Sequence, residues 1–387
     1  MSSNISTGID IGSHNTRVVV LEHEKKKHGF RVLGIGSAKS QGVRHGYVIN
    51  QEEAGLSIRE AVDAAQKSAN IKIRHAIVSI GGLGLESAIG SGSHVVSRVD
   101  GEVGDLDIKQ VLQASEQGAE FTNKKIIREF PLFFKLDGKE VLGDPRGMRG
   151  HKLETKVFFV TSFEQHFDSL INAVENAGID VDDVIPAPFA ESIVTLTKAQ
   201  RTAGCVLANI GGETVSIVVF ENDKPVSLQV FPIGGADITN YIALGLRISL
   251  DEAEMIKTGI RNNKEYPQKK LDEMIESRLR DIFDLIEAHL KKLNKNELLP
   301  AGIVITGGSA ALQTTESLAR ASLKLPARVT APFIGIPGER KLDTSWAIAY
   351  GLAILGFDDS YARSSFSQKT IGRSTGSLLS WFKQFLP

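Results

Sequence analysis

The chain has 387 residues, of which 42% are hydrophobic and 24% charged, a composition typical of folded globular proteins that excludes disordered and fibrous classes. At roughly 150 residues per domain, this length predicts two or three domains. The 45 Lys and Arg residues nearly balance the 46 Asp and Glu residues, and the net charge of −1 gives no general attraction to nucleic acid. We therefore expect no nucleic-acid partner. The single Cys205 excludes an internal disulfide, and the nine His residues lack paired metal-ligand spacing, so we expect a reducing compartment and no structural zinc.

The sequence has no segment that resembles an export signal or a membrane span. Residues 1–7 are polar and lack the apolar core of a secretory signal, so the protein is expected to stay inside the cell. Pro300 and a glycine pair interrupt the uncharged stretch 298–315, and the stretch 344–357 is too short to cross a bilayer.

The first 80 residues combine β and α patterns. Runs of Val, Ile and Leu predict a β-meander at 8–11, 16–22 and 30–35. A stripe of small and apolar residues predicts a helix over 52–70, and a buried strand is expected at 75–80.

The residue pattern changes over residues 81–155. This segment has glycine-rich turns and one helical stripe that starts near Ile108, so we interpret it as an inserted subdomain. The strand pattern of the first unit is expected to resume at 157–161, followed by a helix that stops at Gly178.

The second half starts like the first. Three β-like runs occur at 205–209, 214–220 and 227–231, and the glycine turn at Asn209 lies 199 positions after the one at Asp10. This spacing indicates an internal duplication.

Helical and flexible segments complete the chain. The region 251–294 is strongly helical, a strand and a glycine turn return at 302–308, and residues 345–355 favour a helix. Residues 358–376 are rich in Ser, Thr, Gly and Arg and are interpreted as a flexible linker.

Three glycine-containing turns, at 8–16, 209–214 and 305–309, each follow a β-like run. The backbone N–H groups of such turns can bind phosphate oxygens, although glycine also closes ordinary hairpins. The sequence contains neither the P-loop motif nor the dinucleotide-binding fingerprint, which argues against those two folds.

The order of these turns resembles the actin/Hsp70/sugar-kinase superfamily and, within it, the FtsA family of actin-like bacterial cell-division proteins. Residues 8–20 resemble the first phosphate motif, 209–218 the second and 302–312 the adenosine motif. Segments that are FtsA-like beyond the superfamily lie at 42–46, 144–148 and 233–239. The resemblance covers nearly the whole chain.

The resemblance implies an α/β, two-lobed, actin-like ATPase fold with duplicated ribonuclease-H-like domains and an inserted α+β subdomain. The expected division of the chain is 1–80 first lobe, 81–156 inserted subdomain, 157–203 first lobe continued, 204–245 second lobe, 246–300 helical subdomain, 301–345 second lobe continued, 346–357 helix returning to the first lobe, 358–376 linker and 377–387 amphipathic helix.

The resemblance also implies ATP and Mg²⁺ in the cleft between the lobes. The expected nucleotide-binding residues are Asp10, Gly12, Ser13, His14, Asn15, Thr16, Asn209, Gly211, Gly212, Glu213, Thr214, Gly234, Gly235, Glu254, Lys257, Gly307, Gly308 and Ser309. Asp10, at a strand end, is expected to hold Mg²⁺ through water, because this ion prefers oxygen ligands and keeps several waters. Glu254 and Lys257 share a helix face that can reach ribose or adenine, but such a pair is also typical of a solvated surface.

Two positions depart from the superfamily pattern, which usually has Asp where this chain has Asn209 and Ser216. A neutral amide cannot act as a general base or add charge at a metal, so at most a weak ATPase is expected. Glu191, in the apolar helix after Pro186 and Pro188, is the nearest carboxylate candidate to orient water. A Glu on the helix surface is the alternative interpretation.

The last residues, 377–387, have the pattern of an amphipathic helix. Its apolar face carries Leu378, Leu379, Trp381, Phe382, Phe385 and Leu386. Because a flexible linker precedes it and bulky aromatic residues suit the bilayer interface, we predict a membrane-targeting helix, with a docked core or dimer helix as the alternative. One short anchor binds weakly, and polymerisation would add avidity.

The helical region 257–295 has ten Lys or Arg and seven Asp or Glu residues, a mixture usually found on a solvated face. By resemblance, this subdomain receives the acidic tail of the tubulin-like protein FtsZ. Candidate contacts are Arg261, Lys264, Arg278 and Arg280.

The expected function is therefore that of a peripheral scaffold on the cytoplasmic side of the membrane at the division site. It would form filaments, tether FtsZ and recruit later division proteins through the inserted subdomain. One alternative is a scaffold similar to PilM of pilus assembly, which would not need the amphipathic tail. Another is a superfamily kinase or ATPase, against which Asn209 and Ser216 count.

Overall fold

The computed structural model describes residues 4–24, 29–119, 121–260, 266–332 and 342–357. The strands are β1 Ile5–Ile11, β2 Asn15–Glu24, β3 Gly29–Lys39, β4 Val43–Arg44, β5 Tyr47–Val48, β6 His75–Ile80, β7 Glu86–Val95, β8 Lys124–Leu136, β9 Lys139–Val141, β10 Lys152–Phe163, β11 Asp180–Pro186, β12 Cys205–Ile210, β13 Val215–Glu221, β14 Lys224–Phe231, β15 Ile303–Thr306 and β16 Ala327–Val329. The helices are α1 Gln51–Ala69, α2 Asp105–Gln117, α3 Glu164–Asn176, α4 Ala187–Thr195, α5 Lys198–Ala203, α6 Gly235–Leu246, α7 Leu250–Lys257, α8 Gln268–Lys292, α9 Thr315–Leu323 and α10 Ala347–Leu355.

Two five-stranded sheets repeat one topology. The sheet of the first lobe has the order β11-β6-β1-β2-β3, and that of the second lobe has the order β16-β15-β12-β13-β14. In each sheet the three meander strands are antiparallel, while the remaining two strands run parallel to the first. The repeat confirms the internal duplication and the two-lobed α/β fold expected from the sequence.

Local signals fix the first helix against its sheet. The side chain of Asn50 accepts hydrogen bonds from the backbone of Glu52 and Glu53 and so caps the start of α1. The helix ends at Asn70, which adopts the left-handed conformation that Asn tolerates well. Its buried face is made mainly of small residues, which lets α1 pack close to β3.

The inserted subdomain has its own four-stranded sheet, ordered β7-β10-β8-β9, with α2 packed on it. The sequence pattern places the strand at 157–161 in the first lobe, but these residues belong to β10 and pair with β7 and β8 instead. The reason is length, because β10 is one continuous strand of 12 residues. Gly92 lies within β7 rather than in a turn. Glycine is needed there because α2 packs close to the strand, and a Cβ would come within 2.3 Å of the carbonyl oxygen of Val111.

The inserted subdomain also contacts the second lobe, through β14. The hydroxyl of Ser87 in β7 donates to the carbonyl of Leu228 at 3.3 Å and accepts from its N–H at 3.2 Å. The ammonium of Lys224 donates to the carbonyl of Leu132 in β8. The subdomain is thus part of the first lobe by chain connection and is also hydrogen-bonded to the second.

Ser87→Ala tests this contact. Losing both hydrogen bonds of the hydroxyl should lower the free energy of unfolding by about 1 kcal/mol. Urea unfolding measures the change, with Ser91→Ala at an exposed position of the same strand as the control. Equal effects of the two substitutions would show that the contact contributes nothing to stability.

The predicted helical region at 251–294 is interrupted. The helix α7 ends at Lys257 and α8 begins only at Gln268, immediately after Pro267. Proline lacks a backbone N–H and is tolerated at a helix start but not in its interior, which accounts for a new helix beginning here.

A continuous core joins the lobes. The ring of Phe189 in α4 stacks on Phe130 of the insert at 4.7 Å and meets Phe220 of the second lobe edge-on at 6.2 Å. The helix α10 returns from the second lobe and packs on β1 and α4. Within the described parts of the chain, no helix is both long and apolar enough to cross a bilayer. The predicted linker and amphipathic helix at 358–387 lie outside the described residues.

Candidate functional site

A cavity of about 1290 Å³ lies between the two sheets, where β1 and β12 end. This volume is sufficient for a nucleoside triphosphate. The predicted nucleotide-binding residues line the cavity, with two exceptions, Thr16 and Gly234. Thr16 is fully buried and its hydroxyl is hydrogen-bonded to Ser40, so it supports the turn from behind.

The first two glycine turns have the same backbone geometry. The N–H of Gly12 donates to the carbonyl of Asn15 at 3.2 Å, and the N–H of Gly211 donates to the carbonyl of Thr214 at 2.9 Å. The turns face each other across the cavity so closely that a Cβ on Gly212 would lie 2.9 Å from that of His14. Phosphate groups placed between them would meet backbone donors from both lobes.

Asp10 is the penultimate residue of β1, and it is 7% exposed. Its carboxylate accepts a hydrogen bond from the hydroxyl of Ser79 at 2.8 Å. Burial raises the pKa of Asp10, while the Ser79 hydrogen bond and the charge of Arg17 act in the opposite direction. The carboxylate is thus held by one donor and lines the cavity.

Asn209 occupies the position in β12 that Asp10 occupies in β1. Its amide donates to Glu191 Oε1 at 2.8 Å, whereas Glu191 Oε2 is buried without a hydrogen-bond partner among the described residues. Glu191 is 0% exposed and does not line the cavity, so the surface-helix interpretation is wrong and the carboxyl lies behind Asn209. Burial raises the pKa of Glu191 to about 8, although interactions with Asn209 and Thr306 act against this shift.

The third turn meets the second. Gly307 has a φ of 97°, and a Cβ there would lie 2.6 Å from the carbonyl oxygen of Ile210 and 2.7 Å from the amide oxygen of Asn209. Only glycine fits this left-handed position without strain. The hydroxyl of Ser309 donates to the carbonyl of Gly211 at 3.3 Å, which joins the adenosine-type turn to the second phosphate-type turn.

Glu254 and Lys257 form a half-buried pair rather than a surface pair. The ammonium of Lys257, whose side chain is 6% exposed, donates to Glu254 at 2.6 Å, to the hydroxyl of Thr239 at 2.8 Å and to the carbonyl of Gly235 at 3.1 Å. Burial by itself would raise the pKa of Glu254, but the hydrogen bonds from Lys257 and Thr239 bring it below its ordinary value. Both charged groups line the cavity.

The first residues of α6 are hydrogen-bonded to the second turn. The N–H of Gly235 donates to the carbonyl of Gly211 at 2.9 Å, and that of Ala236 donates to the carbonyl of Gly212 at 2.7 Å. The N–H of Gly234 is bound to the carboxylate of Asp237 at 2.8 Å, so Gly234 is a helix cap outside the cavity lining. These amides position the turn rather than face the cavity with free donors.

Several cavity residues are absent from the sequence prediction. They are Lys39, Arg44, Ser79, Thr239, Met255, Gln268, Leu271, Asp272, Ile275 and Gln313. The paired glycines at 42 and 46 around Arg44 were a usable signal, because both have positive φ and hold a tight hairpin. The α8 residues carried no such signal, since their i, i+3, i+4 spacing is that of any packed helix.

The residues predicted to bind the FtsZ tail are only partly described. Arg261 and Lys264 lie outside the described residues. The guanidinium of Arg278 lies 4.5 Å from the ring centre of Tyr241 and pairs with Asp281, while Arg280 is 62% exposed. Leu244 and Leu250 are exposed in the neighbouring helices.

The described residues contain no group of three or more His, Cys, Asp or Glu side chains placed to hold a metal ion directly. The carboxylate of Asp10 lines the cavity beside the first turn. This donor set fits a hydrated ion that arrives with a nucleotide better than a resident metal.

Comparison with known proteins identifies the family. The family described as "Cell division protein FtsA" matches residues 206–351, and the one described as "SHS2 domain inserted in FTSA" matches residues 85–161. The cell division protein FtsA of Pseudomonas aeruginosa is 32% identical over 354 residues, which cover 86% of this chain and 84% of that protein. The chain belongs to the FtsA family. FtsA of Bacillus subtilis is 29% identical over 357 residues, covering 87% of this chain and 80% of that protein.

Solved structures show the same fold at lower identity. The PilM-PilN type IV pilus biogenesis complex aligns with a TM-score of 0.69 and 16% identity, covering 92% of this chain and 99% of that chain. MreB5 of Spiroplasma citri bound to ADP aligns with a TM-score of 0.54 and 12% identity, covering 94% and 98%. The actin-like architecture of this FtsA-family member is therefore shared well beyond the family.

Proposed function

We propose that this FtsA-family protein is an ATP-binding scaffold of cell division that assembles on the cytoplasmic face of the membrane and tethers FtsZ there. The observation that carries the proposal is the cavity into which both phosphate-type turns and the adenosine-type turn converge. A family member with this cavity at the junction of two lobes is suited to couple nucleotide occupancy to lobe closure.

The cavity residues divide by chemistry. The turns at 12–15 and 211–214 would bind phosphates through backbone N–H groups, and Asp10 would hold a hydrated Mg²⁺. The Glu254–Lys257 pair would face the ribose or base. An Mg²⁺ ion would supply positive charge that neutralises the phosphates.

Hydrolysis is expected to be weak. Glu191, the candidate catalytic carboxyl, is separated from the cavity by Asn209, and its raised pKa leaves it mostly protonated near neutral pH. Asn209 itself has no basic group. Nucleotide would then act mainly by stabilising the closed, polymer-forming shape.

The cellular role follows from the family and from the C-terminal pattern. The amphipathic residues of 377–387 would insert into the membrane at the division site, and self-association into filaments would multiply this weak anchor. The helical subdomain would receive the acidic FtsZ tail, with Arg278 beside Tyr241 and the exposed Arg280 of α8 as candidate contacts. The inserted subdomain would recruit later division proteins.

Co-sedimentation with anionic liposomes, with and without Mg-ATP, tests this function. The full chain should pellet with lipid, more strongly with Mg-ATP, and should form filaments there. A Trp381→Glu, Phe385→Glu variant should stay in the supernatant, because charged residues on the apolar face prevent insertion. A Ser380→Glu variant, changed on the opposite face, is the matched control and should still pellet.

Two results would contradict the proposal. If the full chain stays in solution under all conditions, the tail is not a membrane anchor. If membrane association in cells survives removal of residues 377–387, a scaffold similar to PilM, which needs no such tail, becomes the better description.

A further inference from the structure

Glu213 brings a negative charge into a turn that is expected to bind phosphate. It lies within the second turn, between Gly212 and Thr214, and its carboxylate lines the cavity with its side chain 18% exposed. A carboxylate a few ångströms from bound phosphates repels them, and the low dielectric of a cleft strengthens the repulsion. Something in the fold must offset this charge if polyphosphate is to enter.

The hairpin formed by β4 and β5, residues Val43–Val48, offsets the charge of Glu213 in this structure. The guanidinium Nε of Arg44 lies 3.0 Å from Glu213 Oε1. The backbone N–H of His45 donates to Glu213 Oε2 at 2.6 Å. Both carboxylate oxygens of Glu213 therefore have donors, and both donors come from the opposite lobe.

The same hairpin also holds the first turn. The N–H of Gly46 donates to the hydroxyl of Ser13 at 2.8 Å. His45 has a φ of 47° and Gly46 a φ of 79°, so two successive left-handed residues turn their N–H groups toward the two glycine turns. Because a non-glycine residue rarely adopts this conformation, its energetic cost is balanced by the contacts that the hairpin makes.

We propose that the hairpin Val43–Val48 is a third element of the nucleotide site, in which the guanidinium of Arg44 neutralises the Glu213 carboxylate and the backbone N–H of His45 holds it back, so that a polyphosphate can bind between the turns. The inference deepens the ATP-binding function proposed above and rests on it. Arg44 is thus a positioning residue that acts on the ligand through Glu213. Because the repulsion from Glu213 grows with the charge of the ligand, Arg44 should raise the affinity for a triphosphate more than that for a diphosphate. This effect should disappear when Glu213 is removed.

A double-mutant cycle with ATP and ADP tests this, using the full chain and isothermal titration in the presence of Mg²⁺. Arg44→Ala exposes the carboxylate and should weaken ATP binding about threefold to tenfold, and ADP binding less. Glu213→Gln removes the repulsion and should bind ATP at least as tightly as the wild type. The double variant should match Glu213→Gln, because Arg44 has nothing left to neutralise.

The control is Arg31→Ala, which removes an arginine from the ion pairs with Glu22 and Glu24, near the end of β3 opposite the cavity-lining Lys39, and should leave both affinities unchanged. If the double variant binds ATP as weakly as Arg44→Ala does, the guanidinium binds phosphate directly and the proposal is overturned. If the wild type binds ATP but Arg44→Ala has no effect, the hairpin is only structural. Absence of ATP binding by the wild type would overturn the proposed function and this inference with it.

Discussion

Glu191→Gln is expected to make the protein less sensitive to alkaline pH. The carboxyl is fully buried with one oxygen unpartnered among the described residues, and burial raises its pKa to about 8 from an ordinary 4.5. Between these two values the folded chain keeps a proton that the unfolded chain has lost. The contribution of this group to the free energy of unfolding is therefore complete below pH 4.5 and falls as pH rises to 8, by roughly 5 kcal/mol in total.

Gln is a neutral group of the same shape and has no proton to lose in this range. The difference in free energy of unfolding between Glu191→Gln and the wild type should therefore be small near pH 5, grow in favour of the variant up to about pH 8 and level off above it. Urea unfolding at intervals of one pH unit measures it. The control is Glu60→Gln, at an exposed position of α1, which shows how the loss of a solvated carboxylate changes the free energy of unfolding. A difference that stays flat from pH 5 to 9 would mean that Glu191 is ionised in the folded state.

The fold was largely predictable because its signals are local and repeated. The meander runs at 8–35 and 205–231 each place a glycine turn after a buried strand, and the sheet topology repeats with them. What sequence could not show was which sheet a strand joins. Residues 157–161 have the same alternation whether they pair with β6 or with β7, and only the tertiary arrangement places β10 in the insert.

The candidate site was predictable where backbone conformation dictates the residue type. Glycines at the turns are required by close approach, as at Gly307 against Asn209. Charged residues such as Glu191 and Glu254 gave weaker signals, because the sequence around a single carboxylate on a helix does not show whether the group is buried or solvated. The burial of Glu191 is settled by packing of α4 against β12 of the second lobe, whereas that of Glu254 depends on its contacts with α6 in the same lobe.

The pairing of Asn209 with Glu191 leads to a second large effect. In Asn209→Asp the donor is lost and two carboxyl groups meet at the 2.8 Å separation now bridged by the amide hydrogen. One shared proton can reconnect them at low pH, but at pH 8 the pair carries an uncompensated buried charge. We expect a loss of about 3 kcal/mol in the free energy of unfolding at pH 8 and a smaller loss at pH 5.

The reciprocal double substitution Asn209→Asp, Glu191→Gln tests whether Asn209→Asp is destabilised by the charge and the lost hydrogen bond rather than by a change of side-chain shape. The amide introduced at position 191 can donate to the carboxylate introduced at position 209, so the hydrogen bond is restored with its direction reversed. Stability at pH 8 should then recover most of the loss. A double-mutant cycle by urea unfolding measures this coupling. If the double variant is as unstable as Asn209→Asp alone, the hydrogen bond is not what joins the two residues.

The same exchange moves the carboxylate from behind the cavity wall to its surface, because position 209 lines the cavity and position 191 does not. The introduced carboxylate would then stand opposite Asp10, at matching strand ends of the two lobes, with a basic group facing the phosphate-type turns. A properly placed general base accelerates proton transfer by two orders of magnitude or more, so ATP turnover by the double variant should exceed that of the wild type by at least about tenfold. Unchanged turnover with intact ATP binding would mean that the missing carboxylate at position 209 is not what limits hydrolysis in this family member.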